Sequence, residues 1–147
     1  SLSACAGIWH GTNLLHDPHS GQPEESASIL TITPVLGGRF LRISYTWGYR
    51  DEPQEGIILI GYQRQTAEVS AHWIDTWHMG EKVMACIGGF QGDGISVEGS
   101  YAAPPGPDWG WRIAIRPSGD GLQLTMDNIS PEGSAQPAVE ATYHERA

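Results

Sequence analysis

Asp75 is the residue whose surroundings most suggest chemistry. It interrupts an apolar row, Trp73-x-x-x-Trp77, in a stretch where every second residue from Val69 to Trp77 shares one face. A carboxylate on such a face costs several kcal/mol unless it is paired, and an unpaired one would have a raised pKa. A partner is therefore expected, either an inward arginine or a hydroxyl. Tyr45 and Trp47 on an earlier run, and Trp109 and Trp111 on a later one, fall on apolar faces of the same kind. Gathered together, these side chains would form a pocket for a flat or apolar molecule. Trp47, Trp73, Trp77 and Trp111 would be its walls, with Tyr45 and Asp75 as polar anchors. The competing reading is that the rings simply fill a small core.

Other chemistry is less well supported. Cys86 lies in an apolar run with no nearby cation to lower its pKa, and no Gly-x-Ser-x-Gly elbow exists, so nucleophilic catalysis is not expected. The "GGFQGDG" stretch from Gly88 to Gly94 lacks a Lys-Ser/Thr ending and a following helix, which makes it a hairpin rather than a phosphate loop. His72 and His78 would enter the interior only if the strand's parity were reversed, and their spacing is too wide to chelate one metal. His10, His16 and His19 lie on the first strand or in its Asp-Pro turn and are expected in solvent. No resident metal follows from any of them.

The elements that must position these residues are strands. Leu41, Ile43, Tyr45 and Trp47 alternate with polar neighbours, as do Trp109 to Ile115 and Leu122 to Met126. No window carries a helical apolar stripe, and only Leu2 to Ala6 could make a turn of helix. Turn residues punctuate the runs at Gly37-Gly38, Met79-Gly80, Asp93-Gly94 and Asp120-Gly121, where positive φ is expected. About ten strands result, near 7–15, 27–34, 38–47, 56–64, 68–78, 82–90, 94–102, 109–117, 121–128 and 138–146. Hairpin after hairpin, with apolar faces and edges to hide, predicts an all-β, closed antiparallel up-and-down barrel in a single domain over 1–147.

The net charge of −9 argues against nucleic acid and anionic membrane surfaces as partners. Cys5 and Cys86 have neither CxxC nor zinc spacing and are expected as free thiols in the cytoplasm. No apolar run approaches the ~20 residues of a membrane helix. The Leu2-Ser3-Ala4-Cys5 match to a lipoprotein cleavage box, with Cys5 lipid-bearing, is the alternative localisation; the residues that should precede such a box are not in this chain.

The opening Gly7-Ile8-Trp9 resembles the Gly-x-Trp signature of the calycin superfamily, which includes lipocalins, fatty-acid-binding proteins and avidins. The resemblance implies that Trp9 packs at the barrel floor against an arginine from the last strand, here Arg146 of Tyr143-His144-Glu145-Arg146. With Gly37-Gly38-Arg39-Phe40 and Gly61-Tyr62, the pattern looks closest to a calycin-like bacterial family of unknown function. It also resembles the haem-binding barrels of the nitrobindin type, which share Gly-x-Trp-x-Gly (Gly7, Trp9, Gly11) and would ligate haem through His144. If Arg146 points inward, strand parity takes His144, Thr142 and Glu140 inward with it. Three functions follow: a barrel that binds a small apolar or aromatic ligand, a haem protein using His144, and a filled barrel that acts through its surface or as a homodimer.

Overall fold

The computed structural model describes all 147 residues. A 3-10 turn at Leu2–Cys5 leads into ten strands: β1 Gly7–His16, β2 Pro23–Val35, β3 Phe40–Tyr49, β4 Glu52–Gln63, β5 Glu68–Asp75, β6 Met84–Gln91, β7 Gly94–Tyr101, β8 Trp109–Ser118, β9 Gly121–Ile129 and β10 Ala135–Arg146. Each pairs antiparallel with the next, and β1 also pairs with β10, so the sheet closes and leaves no edge. This is the expected all-β up-and-down barrel. No helix is long and apolar enough to cross a membrane.

Alternation decides what lies inside. Ile43, Tyr45 and Trp47 of β3, Val69, Ala71, Trp73 and Asp75 of β5, and Trp111, Ile113 and Ile115 of β8 are all buried. At one end the interior is packed solid, with Ile32, Ile115, Leu122 and Tyr143 at no more than 2% exposure. That end is plugged by Trp9, whose Nε1 donates to the Cys5 carbonyl at 2.8 Å. The Arg146 guanidinium sits 4.5 Å from the centre of the Trp9 ring and donates to the Ala4 carbonyl. A cation over an indole face in this setting contributes about 0.5–2 kcal/mol. Gly7, at φ 131°, makes the sharp exit from the 3-10 turn that aims Trp9 inward. Leu2, which a lipoprotein cleavage would remove, and Cys5, which would carry the lipid, are both buried beside this plug.

Parity along β10 does not run as expected. Arg146 pairs with Trp9 and Glu145 with His10, but Gly11 then pairs with Tyr143. His144 is the extra residue of a β-bulge, which switches the face of everything before it. Tyr143, Ala141 and Val139 therefore point inward, while Thr142, Glu140 and His144 are exposed. Gly11 makes the bulge possible, because a Cβ there would lie 1.9 Å from the Thr142 carbonyl oxygen.

Two further expectations need correction. Positive φ in the β6–β7 and β8–β9 hairpins falls on Gly92 and Gly119, not on Gly94 and Gly121. The latter two open strands where the neighbouring backbone passes too close for a side chain. Strand β5 also stops at Asp75 rather than continuing to His78, and this early ending builds the site.

Candidate functional site

Asp75 ends its strand by capping the turn that follows. Its Oδ1 accepts the backbone N–H groups of Trp77 and His78, both at 2.9 Å, and its backbone carbonyl accepts the N–H of Met79. Carboxylates compete for backbone donors in this way wherever a turn can form. The chain consequently folds over the open end of the barrel and carries Trp77 and His78 with it.

The remaining capacity of Asp75 goes to side chains. Oδ2 accepts from the Tyr45 hydroxyl at 2.7 Å and from Trp47 Nε1 at 3.3 Å, while Oδ1 also meets His78 Nδ1 at 3.1 Å. Tyr45 in turn accepts from Trp73 Nε1 at 2.8 Å. Burial alone would raise the Asp75 carboxyl; the ring bond and charge of His78, its backbone N–H and the Tyr45 hydroxyl outweigh that and hold it below the ordinary carboxylate value. Burial, reinforced by the Asp75 charge, pushes the Tyr45 phenol well above its usual range. The expected hydroxyl partner of Asp75 is thus present, together with an imidazole.

His78 sits among the tryptophans. Its ring centre is 4.8 Å from that of Trp77 and 5.5 Å from those of Trp47, Trp73 and Trp111. Trp73 and Trp111 stack nearly parallel at 5.3 Å. Beside this cluster, at the end of the barrel opposite Trp9, opens a cavity of about 930 Å³. Trp73, Trp77, His78 and Trp111 line it, with Met79 and Tyr101. The β1–β2 loop forms its far rim and is tied down by Asp17, which is buried and accepts from the Tyr49 hydroxyl at 2.9 Å and the His19 N–H at 2.8 Å.

The structure therefore divides the expected residues into three groups. Trp73, Trp77 and Trp111 line the cavity. Tyr45, Trp47 and Asp75 stand behind its wall as the network that orients Trp73 and His78. His144 is exposed on the outside of β10 and cannot offer its ring to the interior, which removes the basis for haem ligation through it. Gly7, Trp9 and Arg146 meet at the floor as expected, while Trp109 is half-buried and away from the cavity. His19 is exposed, as expected, on the rim of the cavity, while His16 beside it is half-buried, with Nε2 2.6 Å from Glu140. No three His, Cys, Asp or Glu side chains converge on a possible metal position.

His78 is the residue that periodicity misplaces, since alternation with Asp75 points it outward. The readable signal is the Asp75-Thr76-Trp77-His78 sequence before Met79-Gly80, which is an aspartate-capped turn as well as a strand continuation. Two buried donors have no partner, Asn13 Nδ2 and Trp111 Nε1. The second belongs to the cavity wall. Both cysteines are free and buried, and burial pushes the Cys86 thiol up to about 11.

Among curated proteins no sequence matches the chain. Among solved structures it is similar to Rv2717c from M. tuberculosis, with 18% identity, a TM-score of 0.68, and coverage of 99% of this chain and 95% of that one. At that identity the likeness concerns the barrel alone. The family described as "Protein of unknown function (DUF1579)" matches residues 1–145, essentially the whole barrel from the Trp9 plug to the last strand, and the chain belongs to that family.

Proposed function

We propose that this protein is a calycin-like barrel that binds a small, mainly apolar or aromatic molecule at its open end. The observation that carries this reading is the cavity of about 930 Å³ walled by Trp73, Trp77 and Trp111. Small-molecule sites typically enclose roughly 300–1,000 Å³ behind apolar and aromatic walls with few polar groups. The calycin-like assignment rests on the closed meander together with the floor made by Gly7, Trp9 and Arg146. The unpaired, buried Cys5 and Cys86 favour a cytoplasmic setting, where thiols stay reduced.

Native mass spectrometry of the freshly purified protein, compared with its denatured mass, is the first test. A reproducible extra mass identifies a carried molecule, and the same spectrum separates monomer from homodimer. Tryptophan fluorescence against a panel of lipophilic probes is the second test, and Trp77→Ala should weaken any response. Bare protein combined with no response from any probe would remove this reading in favour of a barrel that acts through its surface.

A further inference from the structure

We propose that the cavity selects an organic ammonium, a cationic nitrogen on an apolar or aromatic body, over a carboxylate of the same shape. This rests on the reading that the cavity holds a small molecule, and adds the sign of that molecule's charge.

The charge of the protein is sorted along the barrel axis. Successive strands run in opposite directions, so the β1–β2, β3–β4, β5–β6, β7–β8 and β9–β10 connections all lie at the open end. The remaining hairpins lie at the floor with both termini. The connections at the open end carry Asp17, Asp51, Glu81, Asp108 and Glu132 against Arg50 and Lys82. Glu24, Glu25 and Glu52, near the starts of β2 and β4, add to the same end. At the floor, Arg39 and Arg64 offset Asp93 and Asp120, while Arg116 and Arg146 offset Glu68 and Glu145. The floor is therefore close to neutral, and most of the net charge of −9 surrounds the mouth. A cleft with low-dielectric walls focuses such a field, which concentrates cations and depletes anions at its opening.

The wall favours the same sign. Indole and phenol faces attract a cation through the ring quadrupole. Trp77 and Tyr101 are the half-buried aromatic residues of the lining and keep reachable surface, whereas Trp73 and Trp111 lie deeper. An anion, by contrast, needs donors to replace its water. Those of the aromatic wall are spent or sealed: Trp73 Nε1 donates to Tyr45, the Tyr101 hydroxyl donates to Asn128, and Trp111 Nε1 is buried. His16 and His78 each sit beside a carboxylate, Glu140 and Asp75 respectively. Lys82 is the one lysine or arginine in the lining; it is exposed, follows directly on Glu81, and is opposed by Asp17 in the same lining.

The test compares three probes of similar shape by equilibrium dialysis against the intact protein: 2-naphthylmethyl-trimethylammonium, its neutral carbon isostere 2-neopentylnaphthalene, and 2-naphthylacetate. At about 10 mM ionic strength, where fields reach about 30 Å, the cation should bind at least about 10-fold more tightly than the anion. At about 1 M the reach falls to about 3 Å, and that ratio should shrink about threefold or more. Asp51→Asn, Glu81→Gln, Asp108→Asn and Glu132→Gln combined remove exposed charge without altering the lining. Together they should weaken the cation about 3- to 10-fold at low salt and leave the neutral probe within about twofold. Trp77→Leu keeps an apolar side chain but removes the ring face; it should weaken the cation about threefold or more beyond its effect on the neutral probe. If that variant melts early by circular dichroism, the surface variant decides the matter. Equal binding of cation and anion at both salt concentrations overturns the charge selection and leaves the apolar cavity standing. A cation that excess neutral probe does not displace is held on the outer surface, which also overturns it. An anion that binds more tightly than the cation, and is lost in Lys82→Gln, reverses the assigned sign. Failure of every probe to bind the wild type overturns both readings.

Discussion

Replacing Asp75 with alanine should destabilise the barrel more than any other single truncation near the cavity. The carboxylate accepts five hydrogen bonds, from Tyr45, Trp47, the Trp77 and His78 backbone N–H groups and the His78 ring. Bonds to a charged acceptor are each worth about 1.5–3 kcal/mol, and donors stranded in a buried site bear the full desolvation penalty. The turn N–H groups near the mouth can regain water, whereas those of Tyr45 and Trp47 cannot, since both residues are at most 6% exposed. Counting the stranded side-chain donors, and allowing for non-additivity, the loss is about 3–5 kcal/mol. For a domain of this size that lowers the melting temperature by roughly 10–15 °C. Asp75→Asn, which keeps one acceptor oxygen but sets an NH₂ among donors, should lose about half as much.

The same carboxylate carries a signature in pH. Its pKa is depressed in the folded state, so its contribution is fully present above the ordinary value of 3.8 and is lost as pH falls through the lower folded value. Melting curves of wild type and Asp75→Ala should therefore differ most at neutral pH, and the gap should narrow as pH falls through that value. Calorimetry at pH 7 and near pH 2.5 reads both effects. A shift of less than 2 °C at pH 7, or a gap that is undiminished in acid, would refute the idea that Asp75 organises the mouth of the barrel.

The other expectations are more local. Ser28 and Tyr143 share a buried hydroxyl pair at 2.7 Å; Ser28→Ala or Tyr143→Phe alone should cost about 1–2 kcal/mol by urea unfolding, and the double variant less than the sum. Gly11→Ala places a Cβ 1.9 Å from the Thr142 carbonyl and should cost at least ~3 kcal/mol or abolish folding. Gly89→Ala, with nothing within 4 Å, should stay within about 1 kcal/mol. Cys86, with its thiol raised to about 11, should resist Ellman's reagent at pH 8 until the protein unfolds. Its raised value also means that its contribution to stability, intact below the unfolded thiol value of 9.0, is lost as pH rises towards 11.

The sequence by itself determined the barrel. Period-two alternation was strong enough to locate ten strands, because side chains on a closed sheet must sort strictly between a core and water. It also marked Asp75 as a carboxylate in need of partners, whereas the meeting of Trp9 and Arg146 was implied by the resemblance of the Gly7-Ile8-Trp9 opening to a known barrel signature. What only the tertiary structure decided were the places where alternation breaks. The bulge at His144 turns that histidine outward and Tyr143 inward, and it depends on a close backbone contact between Gly11 and a strand more than a hundred residues away. The Asp75 turn brings His78 among the tryptophans because the carboxylate competes successfully with the strand for backbone donors. Whether the interior is filled or open was likewise a matter of three-dimensional packing. Aliphatic side chains close the floor, while Trp73 and Trp111 stack against each other at the wall and leave the mouth empty. Alternation reports which face a side chain takes, whereas volume and close approach between distant strands depend on the assembled chain.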